Sequence, residues 1–366
     1  MIRRLPTAIA ATLCAIVPFA GAAAQAPLSK TAVESIVDSM AKAYMAEKGP
    51  ASMSIAISRG SETLFERAYG SADIVAKRPA TPATIYKIGS VSKQFTSVLV
   101  LRQVERGTIA LTDSIGTYLT TGLRPEWRKI TIEQLLNHTS GLPNDLTREG
   151  PTEDSVSSAT MIGWAARDTM IFAPGTRFTY SNVGYLLLGA LVEKLYGKPI
   201  GVVVREELTG PLGLKSLGWC NEPSKDSLVA YGHSYQGPGK VERSGYAHPS
   251  KSLGGGALCS TAKDLAAWNR ALHGGKVLTP AMYAAMTTPR GAAKGYGFGL
   301  QFTNTQWGAY GIYHLGGIIG FSAQNVWFPE EQLSLTALYN SIGNGFPTNF
   351  ILDVARAIST AKPKAP

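Results

Sequence analysis

The sequence of 366 residues has few charged side chains, few cysteines and, after its first 24 residues, no long apolar run. Charged residues make up 16% of the chain, whereas roughly 25% is usual for soluble domains. Together with a hydrophobic content of 45%, this excludes a disordered chain and predicts a large buried core. No run of five like charges occurs, so the net charge of +10 is diffuse and does not indicate a nucleic-acid partner.

Motifs of several common enzyme classes are also missing. The histidines show no metal-ligand spacing with Asp, Glu or Cys, so no metal site is expected. The sequence contains neither a Gly-x-Ser-x-Gly nucleophile elbow nor a Gly-x-x-x-x-Gly-Lys phosphate loop. A metallohydrolase, an α/β-hydrolase triad and an NTPase are therefore disfavoured.

The first 24 residues predict a signal peptide. Two arginines precede an apolar stretch that ends near Phe19, and small residues follow up to Ala24. This order is typical of a secretory signal with cleavage after Ala24. The apolar stretch is shorter than the ~20 residues that span a membrane easily. We therefore expect an exported protein, periplasmic or secreted, that comprises residues 25–366 and has no stable membrane span.

Removal of the signal peptide would leave two cysteines, Cys220 and Cys259. An oxidising compartment permits a disulfide between them, which in the chain-entropy model contributes roughly 4 kcal/mol for a loop of that length. The sequence leaves open whether they form this bond or remain two separate thiols.

The apolar pattern places strands near both ends of the chain. A helix is predicted up to Lys48, and Met53, Ile55 and Ile57 then alternate with small or polar residues as in a strand of a hairpin. The middle of the chain, to about Leu272, is predicted to be predominantly helical. Near the other end we predict strands at 296–300, 321–328 and 333–339 and a helix at 350–358. This order predicts an α+β fold in which one antiparallel sheet is built from N- and C-terminal segments, flanked by helices and interrupted by a helical insertion.

Ser90-Val91-Ser92-Lys93 opens a predicted helix. Positions three apart share a helix face, so the Ser90 hydroxyl and the Lys93 amine could meet. A hydroxyl at a helix N-terminus also lies where backbone N–H groups favour developing negative charge. The alternative is that Ser90 only caps the helix and Lys93 is solvated.

Tyr180-Ser181-Asn182 precedes a strongly apolar helical run. A tyrosine and an amide two residues apart at such a turn can project together into a cleft. Tyrosine would act as a base only if a nearby cation lowered its pKa, and a lysine is the expected source of that charge. Alternatively, Asn182 caps the helix and Tyr180 packs against it.

His314-Leu315-Gly316-Gly317 lies in the late strand-forming segment. Its glycines allow the close approach of a substrate, and a strand edge binds extended peptide or acyl chains. The alternative is a glycine-rich hairpin that contains a histidine with satisfied hydrogen bonds.

Together and in this order, the three motifs resemble those of the serine β-lactamase and penicillin-binding protein superfamily, S-x-x-K, Y-x-N and K-T-G or H-x-G. The segments 135–143 and 254–261 resemble those of the class C β-lactamase, D,D-peptidase and esterase branch. The resemblance covers about residues 30–358, before a loose C-terminal tail. It implies the β-lactamase/transpeptidase-like fold in a single serine hydrolase domain at 25–366.

The resemblance also implies catalytic roles. Ser90 would attack a carbonyl to form an acyl-enzyme, and Lys93 and Tyr180 would move its proton, with the formal base left open between them. The backbone N–H groups of Ser90 and Gly317 would form the oxyanion hole. No metal and no organic cofactor is needed.

The implied substrate-binding residues are Asn182, His314 and Gly316. Asn182 would bind the substrate amide and orient Lys93, and His314 would replace the lysine that many relatives place opposite a substrate carboxylate. In this resemblance His138 belongs to a structural turn beside the site.

H-x-G in place of K-T-G favours a D,D-carboxypeptidase or a D-amino-acid peptidase or amidase. The alternatives are an esterase of small esters, a class C-type β-lactamase and, least expected, a non-enzymatic binder of penicillin or cell-wall peptides. The expected partner is a small-molecule, peptide or β-lactam substrate, and the oligomeric state stays open.

Overall fold

The computed structural model describes residues 27–146, 148–150, 152–343, 346 and 349–361. The predicted signal peptide at 1–24 and the loose tail at 362–366 lie outside these residues. Both therefore remain predictions.

The described residues form α-helices and strands in alternating groups along the chain. The helices are α1 (Lys30–Lys48), α2 (Lys93–Glu105), α3 (Ile132–Leu136), α4 (Ser158–Ala165), α5 (Asn182–Tyr196), α6 (Ile200–Val204), α7 (Leu253–Gly256), α8 (Ala262–His273), α9 (Pro280–Thr287) and α10 (Phe350–Thr360). The strands are β1 (Ser52–Arg59), β2 (Glu62–Asp73), β3 (Arg78–Pro79), β4 (Tyr86–Lys87), β5 (Gly218–Trp219), β6 (His233–Gly237), β7 (Lys240–Arg243), β8 (Leu258–Ser260), β9 (Gln301–Asn304), β10 (Tyr310–Ile318), β11 (Phe321–Phe328), β12 (Leu333–Tyr339) and β13 (Ser341–Ile342).

The main sheet combines both ends of the described chain, as predicted. Its seven strands run in the order β3-β2-β1-β12-β11-β10-β9, and all neighbours are antiparallel. The N-terminal hairpin joins the C-terminal meander where β1 pairs with β12, with Met53 opposite Tyr339. Helices α2 to α9 lie in the sequence between these two groups of strands. The predicted α+β architecture with a helical insertion is confirmed.

The predicted alternation in β1 divides the core between the two faces of the sheet. Met53, Ile55 and Ile57 are fully buried in a cluster with apolar residues of α1 and α10. Ala56 belongs to the other core cluster, and the Ser58 hydroxyl on that face accepts a hydrogen bond from Arg270 of α8. Because successive side chains of a strand point to opposite faces, this strand is covered by helices on both sides.

One prediction about the elements was wrong and another was incomplete. Residues 296–300 do not form a strand, because Gly299 has a positive φ of 73° and Gly297 packs against the carbonyl of Met286. The buried Tyr296, Phe298 and Leu300 alternate with these glycines and imitate a strand pattern. The middle of the chain also contains strands β5 to β8, which are too short to show a periodicity.

The strand β10 lies directly against the turn Gly89–Ser92 that begins α2. A Cβ atom at Gly316 would overlap the Ile88 carbonyl oxygen, and one at Gly89, where φ is +50°, would lie 2.9 Å from the Gly317 nitrogen. Only glycine permits this approach. The sheet thereby holds Gly317 beside Ser90.

A small three-stranded sheet supports the same turn from behind. β8 pairs with β4 on one side and with β5 on the other, and β4 ends two residues before Gly89. Cys220 and Cys259 form a disulfide across this sheet, with their Cα atoms 5.1 Å apart.

We predict that Gly316→Ala destabilises the protein by about 2 to 3 kcal/mol, because the new methyl group must displace the Ile88 backbone. The matched control is Gly317→Ala, whose Cβ would meet only the mobile Cδ1 end of Ile342, at 3.1 Å. Thermal and urea unfolding of both variants measure the difference. Equal stability of the two variants would contradict this account of the strand contact.

Candidate active site

Ser90 and Lys93 meet as the helix spacing predicts. Ser90 lies in the 3-10 turn Gly89–Ser92, and Lys93 is the first residue of α2. The Lys93 Nζ atom is 3.2 Å from the Ser90 Oγ atom. The alternative in which Lys93 is solvated is wrong, since its side chain is fully buried.

The Lys93 amine has neutral oxygen atoms as its other partners. It donates to Asn182 Oδ1 at 2.8 Å and to the Gly255 carbonyl at 3.0 Å. Within the described residues no carboxylate lies within ion-pair distance of it. Burial lowers the pKa of Lys93 to about 7, although the more distant Asp145 carboxylate raises it in part.

These three contacts suit both protonation states of the amine. As an ammonium group, Lys93 donates one hydrogen to each of Ser90, Asn182 and Gly255. As a neutral amine it has two hydrogens and one lone pair, so it can keep its bonds to Asn182 and Gly255 and accept the Ser90 proton. The amine is therefore arranged to take a proton from Ser90 without losing its other contacts.

Tyr180 lies on the other side of the amine. Its ring centroid is 4.8 Å from the Lys93 Nζ atom. Burial raises the pKa of Tyr180 above its ordinary value, and the Ser90 hydroxyl offsets only part of that rise. The expected lowering of this pKa by a nearby lysine is therefore not met, because burial dominates and the Asp145 carboxylate raises the pKa further. The Tyr180 hydroxyl therefore stays protonated near pH 7, and it is buried without a hydrogen-bond partner among the described residues.

His138 positions the turn that carries Tyr180. Its carbonyl accepts the N–H of Thr179 at 3.0 Å, and its ring Nδ1 accepts the N–H of Ser181 at 3.1 Å. His138 itself has a positive φ of 60°, which is uncommon for a residue with a side chain. Burial, reinforced by the charge of Lys93, holds its pKa well below the ordinary value. The carbonyl and the neutral ring of His138 thus hold the N–H groups of Thr179 and Ser181, the two neighbours of Tyr180 in the chain.

Asn182 is fixed on both sides. It begins α5, whose cap is Ser181, and its Oδ1 accepts from Lys93. Its backbone N–H donates to the Asn144 carbonyl at 2.7 Å. The amide group therefore ties α5 to Lys93 and to the loop that contains Asn144.

His314 is a buried neutral side chain. It is 2% exposed and its Nε2 lies 3.0 Å from the Tyr296 hydroxyl. Its Nδ1 lies 2.6 Å from the Leu315 carbonyl, and because a carbonyl only accepts, Nδ1 carries the proton and Tyr296 donates to Nε2. Burial and the Lys93 charge lower the pKa of His314 to about 3.

A pocket of about 320 Å³ opens in front of Ser90. Asn182, Gly317 and the half-exposed Asp145 are among the residues that line it. His314 and Gly316 do not line it, since both are buried on the inner side of β10. Ser90, Lys93, Tyr180, Asn182 and Gly317 are brought together, as predicted. His314 is buried beside them, with its ring centroid 6.2 Å from that of Tyr180, and Gly316 packs against the Ile88 carbonyl.

Sequence reasoning missed three residues of this region. The Gly255 carbonyl contacts Lys93, Asp145 lines the pocket, and Tyr296 holds His314. The run of three glycines around Gly255 was the one available signal. Asp145 and Tyr296 lie in irregular segments that show no motif of their own.

No cluster of three His, Cys, Asp or Glu side chains among the described residues could hold a metal ion. No helix in the described ranges is long and apolar enough to cross a membrane.

Comparisons with known proteins identify the class. The sequence matches the Beta-lactamase family over residues 37–356, which is most of the chain. The chain therefore belongs to the Beta-lactamase family. It is a hydrolase of that family with the β-lactamase/transpeptidase fold, as the sequence resemblance implied.

The relatives include peptide- and amide-cleaving proteins. Penicillin-binding protein 4* of Bacillus subtilis is 25% identical over 87% of this chain and 74% of its own length. D-aminopeptidase of Brucella canis is 26% identical over 86% of this chain, which spans only 61% of that protein. The structure of a D-stereospecific amidohydrolase from Streptomyces sp. has a TM-score of 0.75 and 25% identity, and the match covers 88% of this chain and 98% of that one.

Proposed function

We propose that this protein is an exported serine hydrolase that cleaves D-amino-acid amides or peptides through an acyl-enzyme on Ser90. The observation that carries the proposal is the buried Lys93 amine, held 3.2 Å from the Ser90 hydroxyl without an acidic partner among the described residues. A lysine with a pKa of about 7 is neutral often enough near physiological pH to act as a base. We therefore assign the formal base to Lys93.

In the proposed acylation step, the Ser90 oxygen forms a bond to the substrate carbonyl carbon and its proton passes to the neutral Lys93 amine. The backbone N–H groups of Ser90 and Gly317 hold the oxyanion, and each such donor lowers the barrier by about 3 kcal/mol. The carbon–nitrogen bond of the substrate then breaks. The leaving amine takes a proton from Tyr180, which regains one from Lys93.

Deacylation repeats these steps with water. Lys93 accepts a proton from the attacking water, the ester bond to Ser90 breaks, and Ser90 recovers its proton. Lys93 and Tyr180 are close enough for their titrations to be coupled, so kinetics would report pKa values of the pair. The proposed cycle uses side chains and backbone N–H groups of this chain together with one water molecule.

Asp145 supports a substrate with a free amino group. A D-amino-acid amide carries an α-ammonium group, and Asp145 is the acidic side chain that lines the pocket within the described residues. Asp145 forms an ion pair with Arg148 at 3.0 Å, and Arg148 and Lys251 are the cations that line the same pocket. The ion pair offsets part of the Asp145 charge, but the carboxylate can accept further hydrogen bonds from an ammonium group. The names of the D-aminopeptidase and D-stereospecific amidohydrolase relatives agree with this choice.

Two further parts of the proposal rest on the sequence. Export rests on the predicted signal peptide at 1–24, and the disulfide between Cys220 and Cys259 is compatible with an oxidising compartment. We also propose that residues 25–366 are one domain, because its motifs come from both ends and from the middle of the chain.

The principal test is Ser90→Ala. We expect D-alanine p-nitroanilide hydrolysis to fall at least about 1,000-fold and the acyl adduct with a penicillin, seen by intact mass, to disappear. The matched control is Ser92→Ala in the same turn, whose hydroxyl contacts the Leu258 N–H instead of Lys93, and it should still form the adduct. Full activity of Ser90→Ala would refute the assignment.

The same assay distinguishes the alternatives. The proposal expects faster cleavage of D-alanine p-nitroanilide than of its L-isomer. Cleavage of p-nitrophenyl esters alone would establish an esterase, and rapid nitrocefin turnover with no amide cleavage would establish a β-lactamase. A stable adduct without any turnover would establish the non-enzymatic binder.

The base assignment predicts a specific pH dependence. With p-nitrophenyl acetate, a neutral substrate, kcat/KM should rise about tenfold per pH unit on the acid side and level off above a pH of about 7, where Lys93 is neutral. Lys93→Arg, which stays charged, should be inactive throughout. A kcat/KM that is constant from pH 5 to 9 would exclude Lys93 as the base.

Asp145→Asn tests the ammonium contact. We expect the preference for D-alanine p-nitroanilide over its N-acetyl derivative to fall about tenfold or more, because a charge-assisted hydrogen bond is lost. The acid limb with p-nitrophenyl acetate should also move to lower pH, since the Asp145 charge raises the pKa of Lys93. Asp154→Asn, an acid on a neighbouring groove outside this pocket, is the control. An unchanged preference in Asp145→Asn would remove Asp145 from substrate recognition.

A further inference from the structure

A second cavity adjoins the pocket in front of Ser90. It has a volume of about 150 Å³, and Ile319, the residue after β10, lines both spaces. Among its lining residues are Lys87, Tyr231, Arg243, Ser244, Tyr246 and Phe321. It therefore lies within reach of a substrate that extends along β10 beyond Gly317.

Most charges around this cavity already have partners. Arg243 pairs with Asp73 at 2.6 Å and stacks on a tyrosine ring. Glu222 at the rim pairs with Lys225 at 2.9 Å. These two ion pairs contribute no net charge to the cavity.

Lys87 is the exception. Its side chain is 3% exposed, and no described carboxylate lies within ion-pair distance of its Nζ atom. That atom donates to the Ala247 carbonyl at 2.6 Å and lies 4.4 Å from the centroid of the Tyr246 ring. One carbonyl satisfies one of three ammonium hydrogens, so a buried positive charge remains that an anion would stabilise.

Ser244 supplies a second donor on the same cavity. Its hydroxyl oxygen is buried and has no hydrogen-bond partner among the described residues. The Ser244 hydroxyl packs closely against the backbones of Gly232 and Gly320. A side chain at either glycine would overlap it. A buried hydroxyl without a partner is costly, and the cost is removed when a ligand oxygen accepts its hydrogen.

We propose that this cavity is a carboxylate subsite, in which Lys87 and Ser244 bind the free carboxylate of a substrate whose scissile bond lies at Ser90. The inference rests on the proposed function and narrows its substrates to short D-amino-acid peptides with a free carboxyl terminus, in preference to amide-capped ones. It also places carboxylate recognition at Lys87, while the buried, neutral His314 takes no part in it.

The cavity is joined to the reaction centre by two connections. Ala247, whose carbonyl binds Lys87, itself lines the pocket that contains Ser90. Ile319 follows Gly317, the proposed oxyanion donor, by two residues. Occupation of the subsite would therefore fix a substrate relative to both Ser90 and Gly317.

Calorimetric titration of the Ser90→Ala protein tests the subsite without turnover. The two probes are D-alanyl-D-alanine and D-alanyl-D-alaninamide, which differ only in the terminal carboxylate. We expect the acid to bind about tenfold or more tightly than the amide. Adding Lys87→Met should bring the two affinities within about twofold. The control is Lys240→Met, which removes an exposed cation of β7 that has no ion-pair partner among the described residues, and it should leave the preference intact.

Ser244→Ala provides a second variant in case Lys87→Met does not fold. It removes only the hydroxyl and should reduce the preference for the acid severalfold. Equal binding of acid and amide in the Ser90→Ala protein would overturn the subsite. A preference for the acid that survives both Lys87→Met and Ser244→Ala would also overturn the subsite. Lys87 would then serve only to hold the Ala247 carbonyl.

Hydrolysis by the unmodified enzyme is measured separately with the same two peptides. If the acid binds preferentially but neither peptide is cleaved, the proposed function fails while the subsite stands. If both are cleaved and bind equally, the subsite fails while the proposed function stands.

Discussion

The site depends on one interaction, the burial of the Lys93 amine among neutral oxygen atoms. A lysine next to a carboxylate would remain charged, whereas burial without such a partner favours the neutral form. Its three contacts come from three separate segments: the turn before α2, the first residue of α5 and the carbonyl of Gly255 in α7. The same amine therefore supplies the proposed base and fixes the relative positions of the elements that surround it.

The rest of the fold keeps this arrangement in place. The sheet brings β10 against the turn at Ser90, and this approach is possible only because Gly89 and Gly316 have no side chains. On the other side, His138 holds the peptide groups around Tyr180 with one carbonyl and one ring nitrogen. The neutrality of His138 matters here, because a protonated ring could not accept the Ser181 N–H and would repel the Lys93 ammonium.

The sequence predicted the parts that have a periodicity or a fixed spacing. The strands at 321–328 and 333–339 agree with the structure, and the S-x-x-K spacing brings Ser90 and Lys93 together as expected. The segment at 296–300 was mispredicted because alternating glycines and aromatic residues serve close packing there instead of a sheet. Asp145 and Lys87 could not be found, since each acquires its surroundings from loops distant in sequence.

The position of His314 leaves the H-x-G motif without a charged side chain that could recognise a substrate. A lysine there would supply a fixed positive charge, but the histidine is buried between Tyr296 and its own strand and stays neutral. Any charge on a substrate must then be recognised by other side chains. The proposed contacts are Asp145, which can still accept from an ammonium group although it is paired with Arg148, and Lys87 in the adjoining cavity. Together they would suit a zwitterion with an ammonium group near one and a carboxylate near the other. A neutral ester would use neither charge, so electrostatics favours a short peptide with free termini.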